Sequence, residues 1–168
     1  DCGVKAIEKV AHAKSLGIDF IICDHHRPGN EIPDAVAVLD PKQEDCNYPY
    51  KELCGCGVGF KLIQALASKD GQTVDDLTQY LDLVATAIGA DIVPIDGENR
   101  VLAYFGLMVI NSSPRPGIKA ILDQVEKTVL TITDVVFTVA PRINAAGRMK
   151  HGNYAVTLLS EEEEDKAK

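Results

Sequence analysis

The sequence lacks any apolar run of the roughly 18 residues that a helix needs to cross a bilayer, because charged residues interrupt its longest apolar segments. It also lacks a charged-then-apolar signal peptide at its start, internal repeats and low-complexity segments. Hydrophobic residues make up 46% of the chain and charged residues 25%, which excludes disordered, collagen-like and coiled-coil classes. We therefore predict a globular, cytoplasmic protein.

The cysteines lack the spacing of a zinc or disulfide framework. There are five of them, an odd number, and no two are separated by two residues as in zinc-binding Cys-x2-Cys motifs. Cys54 and Cys56 form only a Cys-x-Cys pair. The pattern favours reduced cysteines in a protein of the cell interior.

An excess of positive charge is also missing. The 168 residues contain 17 Lys and Arg against 25 Asp and Glu, which gives a formal net charge of −8. This balance argues against broad, non-specific affinity for nucleic acid, which needs a basic surface. It does not exclude an enzyme whose own carboxylates hold metal ions that then meet phosphates. The acidic tail over 161–168 is typical of a solvated face at the beginning of a helix.

Apolar periodicity predicts a sheet in the first part of the chain. Residues 4–16 predict a helix that stops at Gly17, and residues 18–23 predict a short buried strand. Asp1 would follow an earlier strand, and a strand–helix–strand unit of this size is parallel. Residues 35–39 predict a further strand, closed by Asp-Pro.

From residue 56 onwards the apolar residues recur at helical spacing. The predicted helical segments are 60–67, 77–90, 101–109, 117–125 and 131–137. We therefore predict an α/β fold whose parts are a parallel sheet over about 1–45, helices over about 56–139 and the start of a linker over 140–168.

Acidic and histidine side chains follow the predicted strands directly. Asp1 and the run Asp24-His25-His26 both fall at carboxyl ends of strands, where open α/β sheets bind their ligands. Neighbouring strands lie about 4.8 Å apart, so these side chains could converge on one ion. A mixture of carboxylate and imidazole suits Mn²⁺, Fe²⁺ or Zn²⁺ better than Ca²⁺. The alternative is a helix-capping Asp24 followed by two exposed loop histidines.

Asp91 is a second candidate ligand. It closes the apolar helix predicted over 77–90, where an acid opposes the helix macrodipole and therefore has no local reason to be there. A bound metal would supply one. The alternative is a loop aspartate that caps the next helix.

Three further segments carry glycine or arginine. Residues 54–59 are glycine-rich ahead of a helix and suit either an anion or close helix–sheet packing. Residues 96–100 predict a structural helix start. Arg142, Asn144 and Arg148 share a segment of small residues, which suits contact with phosphate or, alternatively, a surface ion pair.

Taken together, these segments resemble the RecJ family over essentially the whole chain. RecJ proteins are single-strand-specific 5′→3′ DNA exonucleases of the DHH phosphoesterase superfamily. Asp-His-His alone is typical only of the superfamily, whereas Gly-Glu-Asn-Arg and Pro-Arg-Ile-Asn-Ala-Ala-Gly-Arg indicate RecJ within it. The segments, in order, are 1–3, 24–26, 53–62, 90–100 and 140–149.

The resemblance implies roles for the acidic and histidine residues. Asp1 would bridge two metal ions, and His25 and Asp91 would be further metal ligands. His26 would lie near the scissile phosphate, and Asp24 would orient the histidines. The implied reaction is phosphodiester hydrolysis with two Mn²⁺ or Mg²⁺ ions, of which one activates water and both stabilise the charge on phosphorus.

The resemblance also implies single-stranded DNA as the substrate, in DNA repair and recombination. Arg148, with Asn144 and Arg142, would lie near the phosphates. The 140–168 segment would begin the linker towards a DHH-associated domain.

The departures from the family pattern concern mainly the motif and the domains that the family has before and after the matched segments. The family's first motif, Asp-x-Asp, is not found upstream of Asp1, and the DHH-associated domain and OB-fold are not found after residue 168. We expect an internal fragment of the catalytic core that lacks the first strand, is itself inactive and self-associates through an uncovered sheet edge. Cys54 and Cys56 replace small residues of the family, which disfavours a phosphate role there.

Two other functions remain open. The chain could belong to a DHH phosphoesterase that acts on short oligonucleotides or nucleoside phosphates. It could also be a catalytically inactive binding module.

Overall fold

The computed structural model describes residues 2–149 and 152–167. In this part of the chain, two short strands lie beside nine α-helices, a 3₁₀ helix and a π helix. The elements are α1 Ile7–Ser15, β1 Ile21–Cys23, β2 Ala37–Leu39, α2 Gly55–Lys69, the 3₁₀ helix Val74–Tyr80, α3 Leu81–Asp91, α4 Gly97–Ser112, α5 Pro116–Leu122, α6 Ile132–Asp134, the π helix Val135–Val139, α7 Ala140–Met149, α8 Gly152–Ser160 and α9 Glu164–Ala167. Among these described helices, none has both the length and the apolar character to cross a membrane.

The two strands pair in parallel and end at the same level. Ile21 lies opposite Ala37, and Cys23 lies opposite Leu39. The residues that follow the two strands therefore leave the same edge of the sheet side by side. This confirms the prediction of a parallel sheet followed by helices.

The strand predicted over 18–23 is shorter and less buried than expected. Helix α1 ends just before Gly17, whose φ of +70° suits glycine, and β1 begins only at Ile21. Ile22 is 2% exposed but Ile21 is 60% exposed. Side chains alternate between the two faces of a strand, so an apolar run can still have only one buried face.

Helix α3 is the centre of the helical part. It packs against α2, α4, the π helix and α7. Leu81 and Ile88 belong to a core shared with α2 and α4, whereas Ala85 belongs to a second core with α4, α5 and the π helix. Gly106 lets α4 approach closely, because a Cβ at this position would lie 2.2 Å from the Leu81 carbonyl oxygen. Helix α3 is therefore packed on several sides along its length.

The helix predicted over 131–137 continues to Met149 through α6, the π helix and α7. Val135 and Val139 of the π helix are buried in the second core. Helix α7 packs against α3, and α8 packs against α5. The segment over 140–149 is thus helical, and its assignment to the start of a linker stays a prediction.

A buried ion pair fastens the first turn of α3 to α5 and α8. The carboxylate of Asp82 is buried, and Nε of Arg115 lies 3.0 and 2.9 Å from its two oxygens. Nη2 of Arg115 lies 2.9 Å from one of these oxygens. The guanidinium also donates to the backbone carbonyls of Gln79, at 3.1 Å, and Leu159, at 3.0 Å. One side chain thus joins the 3₁₀ helix, α3, α5 and α8.

We predict that Arg115→Met lowers the free energy of unfolding by about 3–5 kcal/mol, because it leaves the buried Asp82 carboxylate without its partner. Adding Asp82→Asn to this variant should restore part of the loss, since the unpaired charge is then gone. Urea denaturation followed by circular dichroism measures both effects.

Lys119→Met is the matched control, because Lys119 lies in α5, the helix that Arg115 precedes, and its ion pairs with Asp123 and Glu164 lie at the surface. It should change stability much less than Arg115→Met. Equal losses of unfolding free energy in the two variants would show that the buried ion pair stabilises the fold no more than a surface pair does.

Candidate metal centre

Asp24 organises the loop that follows β1. Its buried carboxylate accepts hydrogen bonds from the backbone N–H groups of Val4 at 2.9 Å, His25 at 2.8 Å and His26 at 3.2 Å. Nδ1 of His26 donates to the same carboxylate at 2.7 Å, because a carboxylate can only accept. Burial alone would raise the pKa of Asp24, but these hydrogen bonds outweigh it and hold the pKa well below the usual range.

The alternative interpretation of Asp24 as a helix cap is wrong, because no helix begins there. The two histidines have different environments. His25 is buried, whereas the side chain of His26 is 57% exposed. Since Nδ1 of His26 is bound to Asp24, its Nε2 is the nitrogen left to meet another group.

His25 and Asp91 come together from distant parts of the chain. Nε2 of His25 lies 3.5 Å from Oδ2 of Asp91, at the end of α3. Burial lowers the pKa of His25, and the charge of Asp91 opposes this effect only in part. A neutral imidazole beside a carboxylate is the ligand form that divalent transition metals bind. The pair therefore fits the chemistry expected of the two predicted ligands.

Ile92, the residue next to Asp91, has a strained backbone conformation. Ile92 has φ 53° and ψ 38°, and among the described residues it is the only non-glycine residue with positive φ. A β-branched side chain is unfavourable in this left-handed conformation, and such strain often accompanies functional sites. The turn that follows is held by the buried Asn99, which donates to the carbonyls of Pro94 at 3.0 Å and Glu52 at 2.6 Å.

The alternative interpretation of Asp91 as a helix cap is also wrong. Asp91 lies in the last turn of α3, and the residue that precedes the next helix, α4, is Asp96. The helix start predicted over 96–100 is confirmed, and Asp96 there accepts a hydrogen bond from the hydroxyl of Tyr50 at 2.7 Å.

Sequence reasoning overlooked Asp40, which follows β2 as Asp24 follows β1. Asp40 is buried, and burial raises its pKa. Its Oδ1 accepts a hydrogen bond from the backbone N–H of Lys42 at 2.8 Å. An acid placed directly after a second parallel strand was the available signal. In the sequence alone, Asp40 is interpreted only as the close of the strand predicted over 35–39, together with the proline that follows it.

Of the predicted phosphate-binding residues, Asn144 lies on the same side of the protein as the end of α3. It lines a cavity of about 390 Å³ together with Ala90 and Ile92. The exposed guanidinium of Arg142 donates instead to the carbonyl of Thr138, at 2.8 Å. Asp1 and the side chain of Arg148 lie outside the described residues.

The glycine-rich segment over 54–59 is helical almost from its beginning. The thiol of Cys54 caps α2 by accepting a hydrogen bond from the N–H of Gly57 at 3.3 Å. Burial raises the pKa of Cys54 to about 12 and that of Cys56 to about 11, so both thiols are protonated. One of the N–H groups that an anion would need is thus already occupied, which favours the packing interpretation.

Over residues 2–149 and 152–167, no three histidine, cysteine or acidic side chains converge closely enough to hold a metal ion by themselves. His25 and Asp91 supply two ligands, and the third predicted ligand, Asp1, is outside this part of the chain. The described half of the centre is therefore compatible with a divalent ion and needs a further donor.

The chain is similar to known proteins in both sequence and fold. The model of the DHH family, N-terminal domain, matches residues 1–88. The single-stranded-DNA-specific exonuclease RecJ of Salmonella typhimurium is 42% identical over 171 residues, which cover 95% of this chain and 30% of that protein. RecJ of Bacillus subtilis is 42% identical over 165 residues, which cover 97% of this chain and 20% of that protein. The chain thus spans less than a third of the length of either relative.

Two solved structures have the same fold. The exonuclease RecJ bound to manganese aligns with a TM-score of 0.86 and 31% identity, over 99% of this chain and 42% of that one. RecJ from Thermus thermophilus in complex with Mn²⁺ aligns with the same TM-score and identity, over 99% of this chain and 25% of that one.

The hydrogen bonds to Asp24 generate a prediction about pH. A lowered pKa means that the carboxylate stabilises the fold fully above the ordinary aspartate pKa of about 3.9, and that this contribution is lost as the pH falls towards the lowered value. Asp24→Asn should therefore cost about 2 kcal/mol of unfolding free energy at neutral pH. The difference from the wild type should shrink below about pH 4. Urea unfolding over a pH series measures it.

Asp75→Asn is the control, since Asp75 is exposed on the 3₁₀ helix. Its difference from the wild type should be small at every pH. A cost for Asp24→Asn that stays constant down to the lowest pH would contradict the proposed source of the stabilisation.

Proposed function

The chain belongs to the DHH family, and we propose that it is the catalytic-core segment of a metal-dependent exonuclease that hydrolyses single-stranded DNA from its 5′ end. The observation that carries this proposal is the approach of His25 to Asp91, at 3.5 Å, beside the Asp24–His26 hydrogen bond. The RecJ relatives are single-stranded-DNA-specific exonucleases, which supports this choice of substrate. We propose residues 1–139 as the DHH domain and 140–168 as the start of the connection to further domains.

His25 and Asp91 would hold Mn²⁺ or Mg²⁺, with Asp1 as a bridging ligand. When bound, two such ions supply an activated water and neutralise charge on the phosphate. The residues of the chain do the rest. Asp24 keeps the His26 ring fixed through Nδ1, so that Nε2 can accept or donate a proton at an oxygen of the scissile phosphate.

Contacts to the phosphates would come from α7. Asn144 faces the cavity beside Ile92, and Arg142 and Arg148 belong to the same helix. A guanidinium can bind phosphate through two hydrogen bonds, which suits these arginines to the task. The net charge of −8 disfavours an extended basic surface along which the DNA backbone could bind. Recognition of DNA would therefore depend on such local contacts.

Metal binding tests the two described ligands. His25→Ala and Asp91→Asn should each lower the affinity of the chain for Mn²⁺ by about 10–100-fold, measured by titration calorimetry. His12→Ala removes an exposed histidine of α1 and should leave the affinity unchanged. Wild-type affinity in both ligand variants would rule out this metal centre.

Activity of the whole protein tests the role of His26. With Mn²⁺ present, it should release nucleotides from 5′-ended single strands, and His26→Ala should slow this by about 10²–10⁴-fold. Unchanged turnover in this variant would refute the assignment. Faster turnover of dinucleotides than of long strands would favour the oligonucleotide phosphoesterase, and no turnover of either would favour a binding module.

We also propose a cytoplasmic location, in keeping with a DNA substrate, and self-association of the isolated chain through β1. Leu16, Ile18 and Ile21 are each more than half exposed near this strand, and apolar surface beside a sheet edge favours pairing with a second copy. Light scattering over a range of concentrations tests the association. A monomer at every concentration would contradict it.

A further inference from the structure

Asn99 is a buried amide in the first turn of α4, and it joins two separate parts of the chain. Its Nδ2 donates to the backbone carbonyl of Pro94 at 3.0 Å, in the turn between α3 and α4. The same nitrogen donates to the backbone carbonyl of Glu52 at 2.6 Å, in the segment that leads to α2. Asn99 therefore ties the turn after Asp91 to a segment that lies outside it.

Tyr50, from this same segment, also contacts the turn. Its hydroxyl donates to Oδ1 of Asp96 at 2.7 Å and lies 3.4 Å from the carbonyl oxygen of Pro94. The Pro94 carbonyl is thus approached by two donors. The turn between α3 and α4 is held at its middle and at its end, whereas its beginning is the strained residue Ile92.

The left-handed conformation of Ile92 needs support from its surroundings. It is unfavourable for a residue with a branched Cβ, and the side chain of Ile92 is 80% exposed, so that its own packing compensates little. A strained residue keeps its conformation only where the chain on both sides determines it. Helix α3 fixes the chain before Ile92, and the hydrogen bond of Asn99 fixes it two residues later, at Pro94.

We propose that Asn99 is a positioning residue for Asp91: by holding the Pro94 carbonyl it keeps Ile92 left-handed, so that α3 ends at Asp91 with the carboxylate beside His25. If Ile92 relaxed, the last turn of α3 would change, and with it the direction of the Asp91 side chain. This inference rests on the proposed role of Asp91 as a metal ligand. The conformation of Ile92 can nevertheless be measured without metal.

The test compares Asn99→Leu with the wild type, because leucine has a similar volume but donates no hydrogen bond. In NMR of the metal-free chain, a strong nuclear Overhauser effect between Hα and the amide hydrogen of Ile92 reports a positive φ. This effect should be strong in the wild type and weak in Asn99→Leu. Titration calorimetry should show that the Mn²⁺ affinity of the variant is lower by about 10–100-fold.

Asn111→Leu is the matched control, since it removes the same kind of contact from the other end of α4. Nδ2 of Asn111 donates to the backbone carbonyls of Leu107 at 2.8 Å and Leu130 at 3.0 Å. Asn111 lies twelve residues after Asn99, about 18 Å away at the normal helical rise. The control should lower stability but change neither the Ile92 signal nor the Mn²⁺ affinity.

Ile92→Gly distinguishes positioning from a general loss of stability. Glycine adopts the left-handed conformation without a steric penalty, so it needs less support from Asn99. Adding Ile92→Gly to Asn99→Leu should therefore recover part of the lost Mn²⁺ affinity. A variant whose affinity falls only because the fold is weakened would not be rescued in this way.

Wild-type Mn²⁺ affinity in folded Asn99→Leu overturns the proposal, and so does an equal loss of affinity in Asn111→Leu. If Asn99→Leu does not fold, Asn99→Ala takes its place under the same criteria. If the wild type binds no Mn²⁺, the proposed metal centre fails. In that case the Ile92 signal still decides whether Asn99 holds the turn, and an unchanged signal in the Asn99 variant overturns that role as well.

Discussion

The Asp82–Arg115 ion pair is the contact on which the arrangement of the helical part depends. It joins the first turn of α3 to α5, to the 3₁₀ helix and to α8 through one guanidinium. Asp91 stands nine residues further along the same helix, about 13 Å away at the normal helical rise. Because α3 is packed on several sides, fixing its beginning also fixes its end. Asp91, the proposed metal ligand, is thus positioned by a contact far from the candidate metal centre.

The sheet positions the other half of the centre by a different means. Two parallel strands that end level deliver Asp24 and Asp40 to one edge, and backbone N–H groups then turn the Asp24 carboxylate into the anchor of both histidines. Few flexible side chains have to be ordered to hold the Asp24 carboxylate, because most of its hydrogen-bond donors are backbone N–H groups. The strained conformation of Ile92 contributes from the side of α3, where it turns the chain immediately after Asp91.

The order of strands and helices up to about residue 137 could be predicted from periodicity, since helical spacing and short apolar runs depend only on local sequence. The length of β1 could not, because the burial of Ile21 depends on which face of the sheet other elements cover. Asp24, His25 and Asp91 could be selected as candidate site residues because acids and histidines after strands, or at a helix C-terminus, have no local explanation. Asp40 could not, because the proline that follows it supplies a sufficient local one. Its position beside Asp24 depends on the register between the strands, which the sequence does not contain.

The distribution of charge connects the centre to its proposed substrate. Asp91 lies beside His25 and Asp24 beside His26, and Asp40 follows the neighbouring strand, in a chain that is already acidic overall. Such a site repels a phosphodiester, since like charges close together in a partly buried setting interact strongly. Divalent cations bound at His25 and Asp91 would reverse the sign of the local field, so that the substrate could approach only a loaded centre. In this arrangement the acidity of the chain and the anionic substrate are compatible, because cations bound beside these carboxylates would neutralise the charge that otherwise excludes the phosphate.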